Sequence, residues 1–242
     1  MQPEEDFQSQ GELVGLFGQR LGRADQVSDL ILGGLQLRAI GLRSSLPGPV
    51  LGLEFIQKWI QTVPGNRKVV TINLREAPYW NARNSNLEAW AKFARSLDPS
   101  LYYPVFIRDT YSALDPVPPE LEGLNLFPEI PWHIDLRAAL YEKSYLNLFV
   151  NNGPAILCTL NKKTRYIVFK YLMQECASTN ESFIKKFQGL NFGDQWPGAT
   201  PFQRLVWEAD DYERIQEEFN SLCEKMDSSN GNFIRCLEKS AR

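Results

Sequence analysis

The spacing of apolar residues changes character three times along the chain. After a polar stretch over residues 1–10, Leu13, Leu16 and Phe17, then Val27, Leu30, Ile31 and Leu35, recur at intervals that predict short helices between Glu12 and Leu42. Leu46-Pro47-Gly48-Pro49 interrupts them, and Leu53 to Ile60 resumes a helical spacing that Pro64-Gly65 ends.

From Lys68 the runs become short and β-branched. Val69 to Leu74 predicts a buried strand, Asn86 to Leu97 a helix with Leu87, Trp90, Phe93, Ala94 and Leu97 on one face, and Tyr103 to Ile107 a second strand. A proline-rich loop over Asp115 to Pro119 leads to Leu124-Asn125-Leu126-Phe127, expected as a third strand. A helix over Asp135 to Lys143, capped by Asp135, follows. Leu146 to Val150 predicts a fourth strand, Asn151-Asn152-Gly153-Pro154 a tight turn, Ala155 to Leu160 a short helix and Tyr166 to Phe169 a fifth strand. Strands alternating with helices predict an α/β fold, a Rossmann-like and mostly parallel sheet with flanking helices, spanning Lys68 to about Trp207.

The pattern changes again after the turn-rich loop Gly193 to Pro201. Leu205-Val206-Trp207 predicts an edge strand, Asp210 to Met226 an amphipathic helix with Tyr212, Ile215, Phe219 and Leu222 inward, and Asn232 to Leu237 a final short helix. The expected domains are a helical segment over residues 1–65 and a Rossmann-like domain with carboxyl-terminal helices over residues 66–242.

Composition narrows the function classes. The 242 residues are 43% hydrophobic, enough for one sizeable core, and the net charge of −3 gives no electrostatic footprint for a nucleic-acid backbone. No apolar run reaches the roughly 20 residues that span a bilayer, and Met1 to Gln10 lacks the basic-then-apolar order of a leader. The expectation is a soluble, cytoplasmic protein with no nucleic-acid partner. Cys158, Cys176, Cys223 and Cys236 lack the paired spacing of a zinc cage, and the single histidine, His133, beside Pro131 and Trp132, reads as a polar loop residue.

Candidate chemistry gathers where the strands end. In a parallel sheet the loops at the carboxyl ends share one crevice, and here they carry Arg75-Glu76, Arg108-Asp109-Thr110 and Asn151-Asn152-Gly153-Pro154. The last turn fits a phosphate, because Gly153 permits close backbone approach and a helix start offers free N–H groups; it equally fits an ordinary strand-to-helix turn. Arg75 and Arg108 are suited to clamping phosphate or to ion pairs with their neighbouring acids. Trp196 is placed to stack on a base or sugar or to pack, with Gln203 and Arg204 as polar neighbours. Glu76, Asp109 and Asp135 are candidate general bases, and no aspartate pair suggests a metal. A Gly-x-Gly-x-x-Gly turn after the first strand is lacking, which disfavours a dinucleotide-dependent oxidoreductase.

Residues Leu146 to Leu157 (LNLFVNNGPAIL) resemble the "adlvigNDSGPxHLA" segment of GT-B glycosyltransferases, especially the ADP-heptose:lipopolysaccharide heptosyltransferase type. Asp135 to Ser144 is similar to the helix before that segment, and Lys68 to Arg75 to the strand that opens the family's donor-binding half; the resemblance covers roughly residues 66 to 225. Arg75-Glu76 and Arg108-Asp109 also resemble the arginine-bearing strand ends of the fucosyltransferase branch.

The resemblance implies a carboxyl-terminal GT-B half that binds a nucleotide-sugar donor and transfers the sugar to an acceptor hydroxyl without a metal or other cofactor. Asn152, Gly153 and Pro154 would approach the donor diphosphate, with Asn151 beside them in the binding turn, Arg75 or Arg108 would supply positive charge, and Glu76 or Asp109 would activate the acceptor. Asn152 stands where the family has an acid and Ala155 where it has a histidine. The family's amino-terminal acceptor domain is missing or reduced to residues 1–65. These departures leave three expectations beside the enzyme: a fragment of a longer protein, a subunit whose partner supplies an acceptor domain, and a non-catalytic interaction or scaffold protein with a degenerate half-domain.

Overall fold

A computed structural model describes residues 50–240, with side chains from Gly52 to Ser229. The polar tail, the helices expected between Glu12 and Leu42, and the Leu46–Pro49 break lie outside the described residues. The elements run α1 (Val50–Thr62), β1 (Lys68–Asn73), α2 (Leu87–Ser96), β2 (Tyr102–Ile107), α3 (Ile134–Lys143), β3 (Leu146–Val150), α4 (Ala155–Thr159), β4 (Tyr166–Phe169), β5 (Gln203–Leu205) and α5 (Tyr212–Ser240). A helical turn at Glu181–Phe183 continues into a π-turn at Ile184–Gln188 between β4 and β5.

The five strands form one sheet in the order β2-β1-β3-β4-β5, every pair parallel. Val70 pairs with Leu146 and Asn73 with Phe149, so β1 and β3 end together. Layers on both faces explain why the inner strands read as continuous apolar runs rather than alternating ones. One face carries α2 and α5, which bury Trp90, Phe93, Ile215 and Phe219 against Ile72, Leu148 and Phe169. The other carries α1, α3 and α4, which bury Ile56, Leu140, Tyr141 and Cys158 against Val69, Phe149 and Val168. Helices change face between β1 and β3, and this is where the strand order reverses; open α/β sheets bind ligands at such a switch point, outside the carboxyl ends of the strands.

Local signals account for the element ends. Asn86 caps α2 by accepting from the Ala89 N–H through its side chain. Beneath that cap, buried Asp210 accepts from the Asn86 N–H and the Trp90 indole, both at 2.8 Å, and pairs with Lys170 at 2.9 Å.

Four expectations change. The strand expected over Leu124 to Phe127 is a single parallel bridge, Phe106 to Leu126, because the turn at Gly123 (φ 74°) and Pro128, which has no N–H, leave too short a run to pair. The cap position of α3 belongs to His133, without a side-chain bond, and Asp135 falls inside the first turn, where its charge still meets the helix dipole. The edge strand sits two residues earlier than expected, at Gln203–Leu205, held by Gln203 Nε2 donating to the carbonyls of Asn161 and Thr164. The two terminal helices are one, α5, because Gly231 and its polar neighbours cost only about 1 kcal/mol or less each in a helix interior. Among the described residues no helix is long and apolar enough to cross a membrane.

Candidate functional site

Arg75 is the second residue past β1, and the loop that follows it is wrapped around its guanidinium. Its Nη1 donates to Asn84 Oδ1 and, with Nη2, to the carbonyls of Tyr79 and Trp80, and the group lies 5.3 Å from the Tyr79 ring centre. Every one of these partners is neutral. Trp80 holds a left-handed backbone (φ 53°), a conformation that costs a non-glycine residue about 1–2 kcal/mol, and its indole is exposed.

Arg83, in the same loop, crosses the switch point. Its Nη2 donates to the Asn151 carbonyl at the end of β3 at 3.2 Å, and its Nη1 approaches Ser178 Oγ at 3.4 Å. Burial, then the nearby positive charge of Arg83, lowers the pKa of Arg75. Two guanidiniums therefore sit near each other at the ends of β1 and β3, and none of the ion pairs among the described residues includes either. Asp109 acts on Arg75 only at longer range.

Arg108, after β2, differs. Its Nη2 donates to Glu76 Oε1 at 2.7 Å and its Nε to both Glu76 oxygens at 3.1 Å, while Nη1 donates to the carbonyls of Asp115 and Pro116. Glu76 and Asp109 each accept from the other's backbone N–H at 3.4 Å. Asp109 also accepts from the Tyr111 N–H and stays half-buried, and no ion pair among the described residues includes it. The structure thus brings Arg75, Glu76, Arg108 and Asp109 together at the ends of β1 and β2, with the charge of Arg108 already matched.

The turn after β3 has its own geometry. Asn151 Nδ2 donates to the Tyr171 carbonyl, and Asn152 Oδ1 accepts from the Ala155 N–H at the start of α4. Gly153 is exposed, and a Cβ there would meet nothing within 4 Å, so the turn faces open space. Pro154 stands at the cap position of α4. Trp196 packs edge-on against Tyr171 at 6.4 Å, so it reaches the turn through Tyr171 rather than beside the arginines. Gln203 is buried in the edge strand, and Arg204 pairs with Glu218 of α5, away from this edge.

Sequence reasoning did not select Arg83. Nothing in its spacing marks it; only the fold of the Tyr79–Asn84 loop carries it to β3. Cys176, whose spacing in the sequence marks only the lack of a zinc cage, also lies near Arg83. Its thiol lies 3.4 Å from Ser178 Oγ, and although burial pushes its pKa up, bonds from Ser178 and Thr179 and the charge of Arg83 leave it below the ordinary value.

No family model matches the chain, and no curated protein does. Among solved structures, the chain is similar to a glycosyl transferase family 9 protein from Veillonella parvula DSM 2008, at 13% identity and a TM-score of 0.47, over 72% of this chain and 45% of that one. The chain therefore spans less than half the length of that structure.

Proposed function

We propose that this chain is a glycosyltransferase-like protein that binds a nucleotide-sugar donor at the carboxyl edge of its sheet. The observation that carries the reading is the placement of Arg75 and Arg83 at the switch point between β1 and β3, with only neutral hydrogen-bond partners among the described residues. A doubly charged diphosphate there would accept charge-assisted hydrogen bonds from both guanidiniums. The exposed turn Asn151-Asn152-Gly153-Pro154 would line the other wall, its open side at Gly153 admitting the phosphates.

In the transfer, the bond from the anomeric carbon to the diphosphate oxygen breaks as the acceptor oxygen bonds to that carbon. The guanidiniums stabilise the charge that gathers on the departing diphosphate. Asp109, the less committed of the two candidate carboxylates, takes the acceptor proton, while Glu76 keeps Arg108 in place. Trp196 supports the turn through Tyr171. An acceptor-binding unit outside the described body supplies the second wall of the cleft.

A second reading, a non-catalytic interaction protein, is favoured by the Arg108–Glu76 pair, in which two candidate site residues satisfy each other. Thermal unfolding with a panel of nucleoside diphosphates and nucleotide sugars separates the two. A true donor at a hundred times its Kd adds about 2.7 kcal/mol of stability, and Arg83→Ala removes that gain. A panel in which nothing stabilises the protein leaves the interaction reading.

A further inference from the structure

Arg137, in α3, is 5% exposed. A charged side chain this deeply set normally faces a carboxylate, since a buried charge without one is strongly destabilising. Arg137 has none: no ion pair among the described residues includes it, and its one side-chain hydrogen bond runs from Nε to the Tyr141 hydroxyl at 2.7 Å. That hydroxyl is neutral, because burial pushes its pKa well above the ordinary phenol.

The bond is the first link of a buried chain. Tyr141 donates to Asn73 Oδ1 on the last residue of β1, and Asn73 donates to the Leu148 carbonyl of β3 at 3.1 Å. Arg137 is thereby tied to the end of β1 and the middle of β3, the two strands that flank the switch point. The Arg137 charge also reaches Cys158 of α4, whose thiol pKa, raised by burial, is partly held back by a Thr164 bond and by that charge. The only buried side-chain polar atoms lacking a partner among the described residues are the hydroxyls of Tyr145 and Thr179. Among the described residues the terminal nitrogens of Arg137 make no hydrogen bond, and they are not fully sealed from solvent.

We infer that Arg137 is an anion-binding residue, held rigid by Tyr141 and Asn73, that receives a phosphate group on the α3 side of the crevice. The inference rests on the proposed donor site and adds to it a cation on the opposite face of the sheet from α2. An arginine fork whose terminal N–H groups bind nothing among the described residues matches two oxygens of one phosphate, and the Tyr141–Asn73 link fixes its direction before the ligand arrives.

Calorimetric titration with inorganic pyrophosphate and with nucleoside diphosphates tests it on the wild type, Arg137→Met, Tyr141→Phe and Arg83→Ala. Arg137→Met is expected to weaken pyrophosphate binding about tenfold or more, the loss typical of one charged hydrogen-bonding group. The melting temperature of the free protein should not fall, because an unpaired buried charge has been removed. Tyr141→Phe, which keeps the shape of the core, is expected to weaken binding about threefold to tenfold by releasing the fork, so a poorly folding Arg137→Met leaves the test intact. Binding that Arg83→Ala weakens while Arg137→Met and Tyr141→Phe match the wild type overturns this inference alone. A wild type that binds neither pyrophosphate nor any nucleoside diphosphate overturns it together with the donor site.

Discussion

Arg108 and Glu76 meet at 2.7 Å across the ends of β2 and β1, with side chains 6% and 11% exposed. The pair joins two loops: Arg108 also holds the carbonyls of Asp115 and Pro116, and Glu76 also accepts from the Asp109 N–H. Its first duty is to shape the edge of the sheet, which separates it from Arg75 and Arg83, whose partners are all neutral.

Glu76→Ala should therefore destabilise the protein by about 3 kcal/mol, because it leaves the Arg108 guanidinium buried and uncompensated. Adding Arg108→Met should cost less than the sum of the two single changes, with a coupling of about 2 kcal/mol. Urea unfolding of the four proteins measures this; additive costs would show that the two charges act independently.

Gly153→Ala should leave stability within about 1 kcal/mol of the wild type, since an added Cβ meets no atom within 4 Å and the glycine has no positive φ to lose. If the turn faces the donor phosphates, the same change weakens nucleotide binding, and Gly153→Val weakens it further. Binding unchanged in both variants would place the ligand elsewhere.

Burial raises the pKa of five tyrosines, Tyr103 among them, and the four most affected set the alkaline limit of stability. Burial, and then neighbouring Cys223, raise the pKa of Tyr102 to about 12, and burial raises those of Tyr141, Tyr145 and Tyr171 further still. A folded pKa above the unfolded value near 10 means full stability below about pH 10 and loss as the pH climbs toward 12 and beyond, where only the unfolded chain ionises freely. Absorbance at the tyrosinate band and a fold-sensitive signal should change together above about pH 10. Early, separate ionisation of all nine tyrosines would contradict this packing.

Among Cys158, Cys176 and Cys223, Cys176 should be alkylated first near pH 8, because it alone has a lowered pKa while burial raises the other two. Arg83→Ala should slow that reaction by removing a charge that favours the thiolate. Peptide mapping after a short iodoacetamide exposure reads the order directly.

The periodicities of Val69 to Leu74, Leu87 to Leu97 and Leu146 to Val150 determined much of the architecture, because a strand buried on both faces and a one-sided helix each leave a strong local pattern. They also placed Arg75, Arg108 and Asn151 to Pro154 at one edge, since parallel strands must all end on the same side. What the local pattern could not carry was pairing. Leu124 to Phe127 reads as a strand but has room for one bridge, and the polar stretch before Asn232 reads as a break that α5 passes through. Which arginine finds an acid and which does not was likewise decided only in three dimensions. Arg108 meets Glu76 from a neighbouring strand, Arg83 reaches Asn151 across the switch point, and Arg137 reaches Asn73 through Tyr141. Each of those meetings joins residues 32 to 68 positions apart, and at that separation only the packed sheet brings them within hydrogen-bond reach.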